Sequence, residues 1–342
     1  MEAIILAGGF GTRLRPVTYT RAKALLPLLN KPMVTYLIES LPSEVDKVIL
    51  AVNYRKDQIE EYFKKNSFGK EIIVNDEPEP LGTGGAVKFA EKHVTGPFFV
   101  LNADVICSLN LDDMITFHKK NNAVCTISLW PVENVSEFGV VDIKDDSNVI
   151  GFVEKPKPED APSDLINAGA YFLEPQILDY IEKNRLISME KEIFPQIIND
   201  TGKFFGFEFK GYWIDVGRIK SYIDVNKFLM ERKKINFFKG TNCEIEGKIT
   251  KSSLGKGVSV GKDSVLDSTI VLDNVNIGKN VVLSNCVIGD NCEIGNSSHL
   301  TNTVVGDNER VQENTTLDNQ LIWTQSIPDG YPKKQIGNVI GE

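Results

Sequence analysis

The final third of this chain places an apolar residue at every fifth or sixth position, and few folds can use that spacing. Glycine directly follows six of the positions in this register, which are Leu254, Val260, Leu266, Leu272, Ile277, Leu283, Ile288, Ile294, Leu300, Val305 and Val311. A six-residue period predicts a parallel β-helix, in which each repeat forms one flat side of a triangular coil. A β-sandwich is the alternative, but its turns would lie about 8–12 residues apart. Residues 326–342, which include two prolines, are expected to cap the coil or form a tail.

The residues before about 235 follow a different pattern, in which short apolar runs alternate with amphipathic segments. The predicted buried strands are 3–6, 47–52, 72–74 and 98–101. The predicted helices are 33–41, 58–65, 84–93 and 111–120. This alternation is typical of a Rossmann-like α/β domain with a mixed, mostly parallel sheet covered by helices. We therefore expect two domains, a ligand-binding α/β domain at 1–235 and a hexapeptide-repeat domain at 236–342.

Composition narrows the class of protein further. The 342 residues include 38 Lys and Arg against 47 Asp and Glu, and the formal net charge of -9 argues against a partner nucleic acid. No apolar stretch approaches the ~20 residues of a membrane-spanning helix. The sequence begins without the basic segment of a signal peptide. The five cysteines are odd in number and form no C-x-x-C pair, so we expect reduced thiols in a cytoplasmic protein.

The sharpest motif lies directly after the first predicted strand, where residues 6–16 read LAGGFGTRLRP. Its glycines allow a tight turn, and successive backbone N–H groups in such a turn form a cradle for an anion. Arg13, Arg15 and Lys23 add positive charge that a plain turn would not need. The motif is not a Walker loop, because G-x-x-x-x-G-K-[ST] is missing. A dinucleotide-binding loop is excluded as well, because Leu14 stands where a third small residue is required.

This motif, followed by Lys23 and Pro27, resembles the opening signature of the sugar-phosphate nucleotidyltransferases. The resemblance runs almost from end to end, and it is strongest to the mannose-1-phosphate guanylyltransferases that carry a C-terminal hexapeptide domain. It is also carried by PFFVLNADVI (97–106), FVEKP (152–156), INAGAYFL (166–173), MEKEIFP (189–195) and GYWIDVG (211–217). One departure is that Lys23, which lies between two prolines in many members, here lies between Ala22 and Ala24. The resemblance implies a nucleotide-diphospho-sugar transferase fold followed by a left-handed parallel β-helix.

The resemblance also implies a reaction, in which a nucleoside triphosphate and a sugar 1-phosphate give a nucleotide-sugar and pyrophosphate. The attacking phosphate oxygen is already anionic, so no general base is needed and catalysis is expected to come from positioning and charge neutralisation. Arg13 and Lys23 are then catalytic, through the charge that develops on the triphosphate. The residues that match nucleotide-binding positions of the family are Leu6, Ala7, Gly8, Gly9, Gly11, Thr12, Arg13, Lys23, Glu77, Pro80, Leu81, Gly82, Thr83 and Asn102.

Two aspartates match the metal ligands of the family. Asp104 lies two residues after Asn102, beyond the end of the predicted strand, and Asp215 stands in WIDVG. Mg²⁺ prefers oxygen ligands and is usually bound by one or two carboxylates together with substrate phosphates. A lone aspartate more often bonds the backbone of its own turn. The match at both positions favours a Mg²⁺ site in which Asp104 and Asp215 are metal ligands and catalytic residues.

The choice of base and sugar depends on a few polar residues. Residues 77–85, EPEPLGTGG, match the segment that lies against the base in the family. A carboxylate accepts from both N1–H and N2–H₂ of guanine, so Glu77, or else Glu79, favours GTP, whereas a glutamine would suit a pyrimidine. The resemblance implies that Lys155 binds the sugar phosphate and that Glu154 binds a sugar hydroxyl. The residues that match sugar-phosphate contacts are Gly139, Glu154, Lys155, Asn167 and Gly169.

We therefore expect an enzyme that makes GDP-mannose from GTP and mannose 1-phosphate, with no nucleic-acid or membrane partner, and that forms a homo-oligomer. A glucose-1-phosphate uridylyltransferase or thymidylyltransferase is the alternative within the family. A non-catalytic regulatory paralogue would bind a nucleotide-sugar, but it would not need both basic residues and both aspartates. A bifunctional hexapeptide acyltransferase would need a histidine base, and only His299 lies within the repeats.

Overall fold

The computed structural model describes residues 1–332 and 339–340. The chain forms two compact units. The first unit comprises Met1–Gly9 and Val34–Ile214, and the second comprises Phe10–Met33 and Asp215–Glu342. The motif at residues 6–16, called the glycine loop below, is therefore divided between the units, because Phe10–Met33 belongs to the unit that contains the hexapeptide repeats.

The strands and helices before the repeats follow one another in α/β order. The strands are β1 (Glu2–Leu6), β2 (Pro27–Leu28), β3 (Lys31–Pro32), β4 (Lys47–Val52), β5 (Glu71–Asp76), β6 (Phe98–Asn102), β7 (Val105–Cys107), β8 (Cys125–Pro131), β9 (Gly139–Ile143), β10 (Val149–Glu154), β11 (Leu165–Leu173), β12 (Phe204–Glu208) and β13 (Trp213–Asp215). The helices are α1 (Met33–Ser40), α2 (Lys56–Lys65), α3 (Gly82–Phe89), α4 (Leu111–Lys120), α5 (Phe194–Thr201) and α6 (Ile219–Lys233). The four predicted strands and four predicted helices are thus all present, with shifts of a few residues at their ends.

A nine-stranded mixed sheet forms the centre of the first unit. Its order is β10-β9-β11-β6-β1-β4-β5, with β8 beside β11 and β12 beside β8. The central strands β6, β1, β4 and β5 are parallel, whereas β11 runs antiparallel to β6 and β8. Leu6 of β1 pairs with Ala51 of β4 and Asn102 of β6, so the carboxyl ends of these strands meet at one edge. This arrangement confirms the Rossmann-like α/β fold, and that edge is where such sheets bind ligands.

Local sequence explains where the best-predicted helix begins and ends. α4 starts after Asn110, whose side-chain Oδ1 accepts from the backbone N–H groups of Asp112 and Asp113. These two acids lie in the first turn and Lys119 and Lys120 in the last, which complements the helix dipole. The predicted helix 84–93 is divided, because α3 ends at Phe89 and a 3-10 turn follows at Glu91–His93. No helix in residues 1–332 or 339–340 is long and apolar enough to cross a membrane.

The hexapeptide region forms three flat parallel sheets, as the repeat predicts. The first sheet contains β14 (Phe238–Lys239), β17 (Ser253–Leu254), β20 (Ile270–Val271), β23 (Val287–Ile288), β26 (Val304–Val305), β29 (Leu321–Ile322) and β30 (Val339–Ile340). The second contains β15 (Glu244–Ile245), β18 (Ser259–Val260), β21 (Asn276–Ile277), β24 (Glu293–Ile294) and β27 (Arg310–Val311). The third contains β16 (Lys248–Thr250), β19 (Val265–Asp267), β22 (Val282–Ser284), β25 (His299–Thr301) and β28 (Thr316–Asp318). These stacked sheets fit a left-handed parallel β-helix.

The register of the coil explains the spacing of the repeat. Leu254 pairs with Val271, and Val271 pairs with Ile288, so one turn of the coil takes 17 residues. Two repeats of six and one of five make up that turn, which is why the apolar spacing alternates between six and five. The predicted residues other than Leu272 belong to one buried core cluster, and Leu283 and Leu300 are completely buried. The prediction of Leu272 is wrong by one residue, because Val271 pairs with Leu254 and Ile288 and takes the inward position. Of the predicted cap at 326–342, residues 333–338 and 341–342 lie outside the described residues.

Asparagines form many of the corners of the coil. Their φ angles are positive, a left-handed conformation that asparagine tolerates better than most residues. These corner residues are Asn274, Asn280, Asn285, Asn291, Asn302, Asn308, Asn314 and Asn319. Some also bond to one another between turns, since Nδ2 of Asn274 donates to Oδ1 of Asn291 at 3.3 Å. The corners therefore carry a second repeat, which the apolar periodicity alone does not reveal.

Candidate active site

The first part of the glycine loop continues from the end of β1. Ala7 donates its N–H to the carbonyl of Ala51 at 2.9 Å, so Leu6 and Ala7 are held at the carboxyl edge of the sheet. A Cβ on Gly8 would make only an ordinary contact with Asn53, at 3.4 Å from its backbone nitrogen. A Cβ on Gly9 would meet no atom within 4 Å. Internal packing does not require glycine at either position, and close approach of a ligand stays a prediction for both.

The second part of the loop does require its glycine. Gly11 has a φ of +67°, and a Cβ there would lie 2.8 Å from Thr18 Cγ2 and 3.3 Å from Lys23 Cβ. The carbonyl of Gly11 accepts from the N–H of Leu14 at 2.8 Å and from the hydroxyl of Thr18 at 2.9 Å. These bonds fold Thr12–Leu14 into a 3-10 turn. The bare glycine lets Lys23 pack against the loop that carries Arg13.

Arg13 and Asp215 come together within the second unit. A Cβ on Gly217 would lie 2.6 Å from Oδ2 of Asp215 and 2.9 Å from Nη2 of Arg13. Both groups therefore lie close to position 217, where a side chain would press on them. The contact brings a predicted phosphate-binding cation next to a predicted metal-binding carboxylate, as an active site for an anionic substrate requires.

The two predicted metal ligands lie at the ends of strands. Asp104 lies in the turn between β6 and β7, and Asp215 is the last residue of β13. Both offer carboxylate oxygens, the donors that Mg²⁺ prefers. Within the described part of the chain, no group of three or more His, Cys, Asp or Glu residues could hold a metal ion. A Mg²⁺ ion that is bound by only two carboxylates takes its other ligands from substrate and water, which is its usual mode on phosphates.

Glu77 and Glu79 differ sharply in their surroundings. The side chain of Glu77 is buried, with 6% of the residue exposed, whereas Glu79 is exposed. Oε2 of Glu77 accepts the N–H of Leu81 at 3.3 Å. Burial, with a smaller contribution from the charge of Asp76, raises the pKa of Glu77 to about 7. A buried carboxyl group that titrates near neutrality is typical of a functional site, so Glu77 is the stronger of the two candidates.

The residues after Glu77 are fixed by backbone bonds to a second loop. Leu81 accepts from the N–H of Ile187 at 2.9 Å, and the carbonyl of Ile187 accepts from Gly84 at 2.8 Å. Gly82 has a φ of +72°, and a Cβ there would lie 2.6 Å from the carbonyl oxygen of Ile187. The glycines of this segment therefore serve the internal packing of residues 77–85. These residues are called the base loop below, because they are predicted to lie against the base. Pro80 is exposed at its rim.

Two predicted sugar-phosphate residues lie at the end of β10. Lys155 has a φ of +51°, a strained conformation for a residue with a side chain. Its N–H donates to the carbonyl of Phe138 at 2.8 Å, and its side chain is 61% exposed. Nζ lies 3.6 Å from Oε1 of Glu154. Backbone strain of this kind is concentrated at functional sites, which agrees with a ligand-binding role for Lys155.

The glycine predicted at the sugar ring has an internal packing role. A Cβ on Gly139 would lie 2.4 Å from Cζ of Phe152 and 2.9 Å from Oε2 of Glu154. Glycine is therefore required at position 139 by Phe152 whether or not a sugar approaches. Its absent side chain also leaves space beside the Glu154 carboxylate. A direct contact between Gly139 and the sugar stays a prediction.

The remaining predicted residues meet at β6 and β11. Gly169 has a φ of +82°, and a Cβ there would lie 2.6 Å from Nδ2 of Asn102. The N–H of Gly169 donates to Oδ1 of Asn167 at 3.1 Å. The first unit thus brings the predicted nucleotide-binding residue Asn102 of β6 into contact with the predicted sugar-binding strand β11.

A carboxylate that the sequence analysis did not select connects the base loop with the predicted sugar-binding strand β11. Oε2 of Glu190 accepts from the hydroxyl of Thr83 at 2.7 Å, and its Oε1 accepts from the hydroxyl of Tyr171 at 3.1 Å. The Tyr171 hydroxyl in turn accepts from Nδ2 of Asn167 at 2.9 Å. Burial, with the charge of Glu190, raises the pKa of Tyr171 well above its usual value. The string MEKEIFP contains Glu190, but only the fold shows that it joins Thr83 to Asn167.

A second unselected residue lies beside Glu77. Asn75 is buried near the end of β5, two residues before Glu77. Within the described part of the chain, Nδ2 of Asn75 has no hydrogen-bond partner. A buried and unpaired amide is unusual in a folded protein and often marks a place where a ligand binds. Alternation along the strand could have placed Asn75 on the same side as Glu77, although not its lack of a partner.

Family comparisons divide the chain into two matched regions. Residues 2–232 match the nucleotidyl transferase family, and residues 239–335 match the GMPPB C-terminal domain. The mannose-1-phosphate guanyltransferase of Yarrowia lipolytica is 44% identical over 230 residues, which are 65% of this chain and 62% of that protein. A probable mannose-1-phosphate guanylyltransferase 3 of Oryza sativa is 38% identical over 287 residues, which are 80% of this chain and 78% of that protein.

Solved structures show the same relationship for the α/β part. HddC from Yersinia pseudotuberculosis, complexed with GMP-PN, is 31% identical with a TM-score of 0.57, over 67% of this chain and 99% of that one. A UDP-glucose pyrophosphorylase complexed with UDP-glucose has a TM-score of 0.59 at 24% identity, over 68% of this chain and 98% of that one, which supports the fold alone. The family match spans more than half of the sequence, and the glycine loop, the base loop and β11 lie within it. This chain belongs to the nucleotidyl transferase family.

Proposed function

We propose that this chain transfers GMP from GTP to mannose 1-phosphate, giving GDP-mannose and pyrophosphate. The observation that carries the proposal is the grouping of Arg13, Lys23 and Asp215 around Gly11 and Gly217, in a chain whose relatives are named mannose-1-phosphate guanylyltransferases. We further propose that residues 1–235 form the catalytic domain and 236–342 a hexapeptide-repeat domain. In our proposal the enzyme is cytoplasmic and homo-oligomeric, and the reduced state of all five cysteines is consistent with that compartment.

The reaction proposed needs no proton to be removed. A phosphate oxygen of mannose 1-phosphate attacks the α-phosphorus of GTP, the new P–O bond forms, and the bond to the bridging β-phosphate oxygen breaks to release pyrophosphate. The backbone N–H groups of Gly8, Gly9 and Gly11 and the guanidinium of Arg13 hold the departing phosphates, and Lys23 neutralises the charge that develops there. Such positioning with charge neutralisation is how phosphoryl transfer is generally catalysed.

The proposed metal is Mg²⁺, held by Asp104 and Asp215. When bound, it supplies positive charge at the α-phosphate and the incoming phosphate. Arg13 stands beside Asp215, so this aspartate has a compensating charge of its own in the protein. Replacing Asp215 by Asn keeps the size of the side chain, and should abolish turnover while GTP binding weakens far less.

The other proposed substrate contacts are made by residues of the first unit. The Glu77 carboxylate accepts from the guanine edge, and Asn102 with residues 80–83 borders the nucleoside. Lys155 binds the phosphate of mannose 1-phosphate, and Glu154 accepts from a sugar hydroxyl. Gly139, Asn167 and Gly169 border the sugar ring, with Asn167 oriented by its bonds to Tyr171 and Gly169.

The test is a matrix of GTP, UTP, dTTP, ATP and CTP against mannose 1-phosphate and glucose 1-phosphate, with pyrophosphate release as the readout. The expected result is highest kcat/KM for GTP with mannose 1-phosphate, together with loss of activity when EDTA removes divalent cations and recovery when Mg²⁺ is added. Highest activity with UTP or dTTP and glucose 1-phosphate would replace the proposed substrates. No pyrophosphate with any pair, together with binding of GDP-mannose, would show a non-catalytic paralogue.

A further inference from the structure

The segment Phe10–Met33 carries Arg13 and Lys23, yet it packs within the unit of the β-helix. Between Pro16 and Pro27 the sequence contains no proline that would restrict its backbone. Lys23 is flanked by Ala22 and Ala24, whose short side chains are buried and carry no polar group. Contacts that the neighbouring residues make with the rest of the second unit therefore help to fix the position of Lys23.

One set of contacts is an acidic ladder along the first corner of the coil. Asp273, Asp290 and Asp307 follow one another at the 17-residue interval of a single turn. Oδ1 of Asp290 accepts the N–H of Asp273 at 2.8 Å, and Oδ1 of Asp307 accepts the N–H of Asp290 at 2.7 Å. One oxygen of each carboxylate is thus used to join the turns of the coil, which leaves the other oxygen of Asp290 and Asp307 for a second role.

The second oxygens of this ladder bind the segment before Lys23. Oδ2 of Asp307 accepts from the hydroxyl of Thr20 at 2.6 Å. Oδ2 of Asp290 accepts from the guanidinium of Arg21, and both side chains of this ion pair are less than one quarter exposed. Hydrogen bonds between charged groups are roughly twice as strong as neutral ones, and partial burial protects this pair from screening by salt.

An aromatic cluster fixes the other end of the same segment. The ring of Tyr19 is completely buried, with its centroid 5.1 Å from Trp323 and 4.8 Å from Tyr331. The hydroxyl of Tyr331 lies 3.1 Å from Oγ1 of Thr18 and 3.3 Å from the carbonyl oxygen of Phe10, and its single proton can be donated to either oxygen. The hydroxyl of Thr18 also bonds the carbonyl of Gly11 at 2.9 Å. Tyr331, which follows the last full turn of the coil, is thereby connected to the glycine loop itself.

We propose that the part of the second unit that carries Asp290, Asp307 and Tyr331 positions the glycine loop, and that these three are its positioning residues. They hold Thr18 to Arg21, and through that segment they hold Arg13 and Lys23 in the arrangement that the triphosphate needs. The inference rests on the proposed roles of Arg13 and Lys23. Small displacements of groups that bind the reacting phosphate lower the rate strongly, so these residues affect catalysis without touching substrate.

The experiment compares Asp290→Asn with Asp273→Asn as a matched control in the same ladder. Asp273 accepts the N–H of Lys256 and donates its own N–H to Asp290, so it serves the coil and not the segment. Loss of a charge-assisted bond should lower kcat/KM for GTP by about tenfold in Asp290→Asn, whereas Asp273→Asn should stay close to wild type. Arg21→Gln should have the same effect as Asp290→Asn, and the double variant should be no worse than either single one. Arg21→Lys, which retains the ion pair, should recover part of the activity.

A second variant, Tyr331→Phe, and a second measurement, amide hydrogen exchange, test the inference independently of the activity. Tyr331→Phe keeps the aromatic ring and removes only the hydroxyl bonds to Thr18 and Phe10. Hydrogen exchange of the amides in residues 10–23 should accelerate in Tyr331→Phe and Asp290→Asn, and not in Asp273→Asn. If the wild type releases no pyrophosphate with any substrate pair, the proposed function fails while the exchange rates still decide this inference. Equal loss of activity in Asp290→Asn and Asp273→Asn, or unchanged exchange in residues 10–23, would overturn it.

Discussion

Glu77 offers a direct test of base selection, because its pKa lies near neutral pH. Burial raises that pKa from the ordinary 4.5 to about 7. Guanine presents two N–H donors, so only the ionised carboxylate can accept from both. The ionised fraction should increase from about 0.1 at pH 6 to about 0.9 at pH 8. We therefore expect kcat/KM for GTP to rise about tenfold across that range if the carboxylate reads the base.

Glu77→Gln removes the titration and replaces one acceptor by an N–H₂ donor that faces the donors of guanine. The loss of a charged hydrogen bond, about 1.5–3 kcal/mol, corresponds to a drop of about 10- to 100-fold in kcat/KM for GTP. The variant should also lose the rise between pH 6 and pH 8 and gain relative activity with UTP. The measurement is the initial rate of pyrophosphate release at subsaturating GTP or UTP, in buffers of constant ionic strength.

Two further variants separate the possible causes. Glu79→Gln decides between the two acids of the base loop, because the exposed Glu79 should leave the pH profile and the preference for GTP intact. Glu71→Gln, at the exposed start of the strand that ends directly before Glu77, controls for the loss of a negative charge. If Glu77→Gln keeps both the preference for GTP and the rise between pH 6 and pH 8, the assignment of Glu77 to guanine is refuted.

Stability provides an independent check with a definite sign. A carboxyl group whose pKa is raised in the folded state favours folding while it is protonated, and that contribution is lost as the pH rises from 4.5 through 7. The full shift corresponds to about 3 kcal/mol at pH 8. Glu77→Gln, which cannot ionise, should therefore gain thermal stability relative to wild type as the pH rises from 5 to 8. A difference in Tm that does not change with pH would contradict the raised pKa.

Three other substitutions test the remaining parts of the structure. Lys155→Gly should relieve a left-handed backbone strain of about 1–2 kcal/mol and raise Tm, while KM for mannose 1-phosphate increases several-fold, as thermal melts and initial rates will show. Glu190→Gln should lower the free energy of unfolding by about 1–3 kcal/mol, because its carboxylate accepts from Thr83 and Tyr171, and it should raise KM for both substrates together; a change in only one KM would contradict the bridging role. Leu283→Ala should lower the free energy of unfolding by about 2–5 kcal/mol in a denaturant titration, since the side chain is completely buried in the coil, and kcat should stay within about twofold of wild type.

The repeat shows how far sequence periodicity reaches. The spacing of residues such as Leu254, Val260 and Leu266 predicts the coil because a β-helix places equivalent residues of each flat side on the same inward face. The spacing leaves open what the corners and the outer faces do. The carboxylates of Asp290 and Asp307 look like ordinary turn residues in the sequence, and only the stacking of turns places them against Thr20 and Arg21.

The glycines show the opposite limit. Sequence alone attributes Gly11 to a tight turn that a ligand can approach closely, and Gly139 to close approach of a sugar ring. The structure gives Gly11 a positive φ and a close contact with Thr18, and it gives Gly139 a close contact with Phe152. Gly8 and Gly9, by contrast, meet no internal demand for glycine. The reason a position needs glycine depends on atoms that are distant in sequence, so no local pattern can reveal it.

The sequence by itself determined the α/β order, the β-helix and the charged glycine loop, because these depend on periodicity and on residues close together in the chain. Only the tertiary structure decided which element holds that loop. The segment from Phe10 to Met33 belongs with the β-helix, although it follows β1 directly. It is held there by Arg21 on Asp290 and by Thr18 beside Tyr331, pairs that are 269 and 313 residues apart. Such contacts form only when distant parts of the chain meet. Their free energy depends on both partners, so neither segment of the sequence reveals it alone.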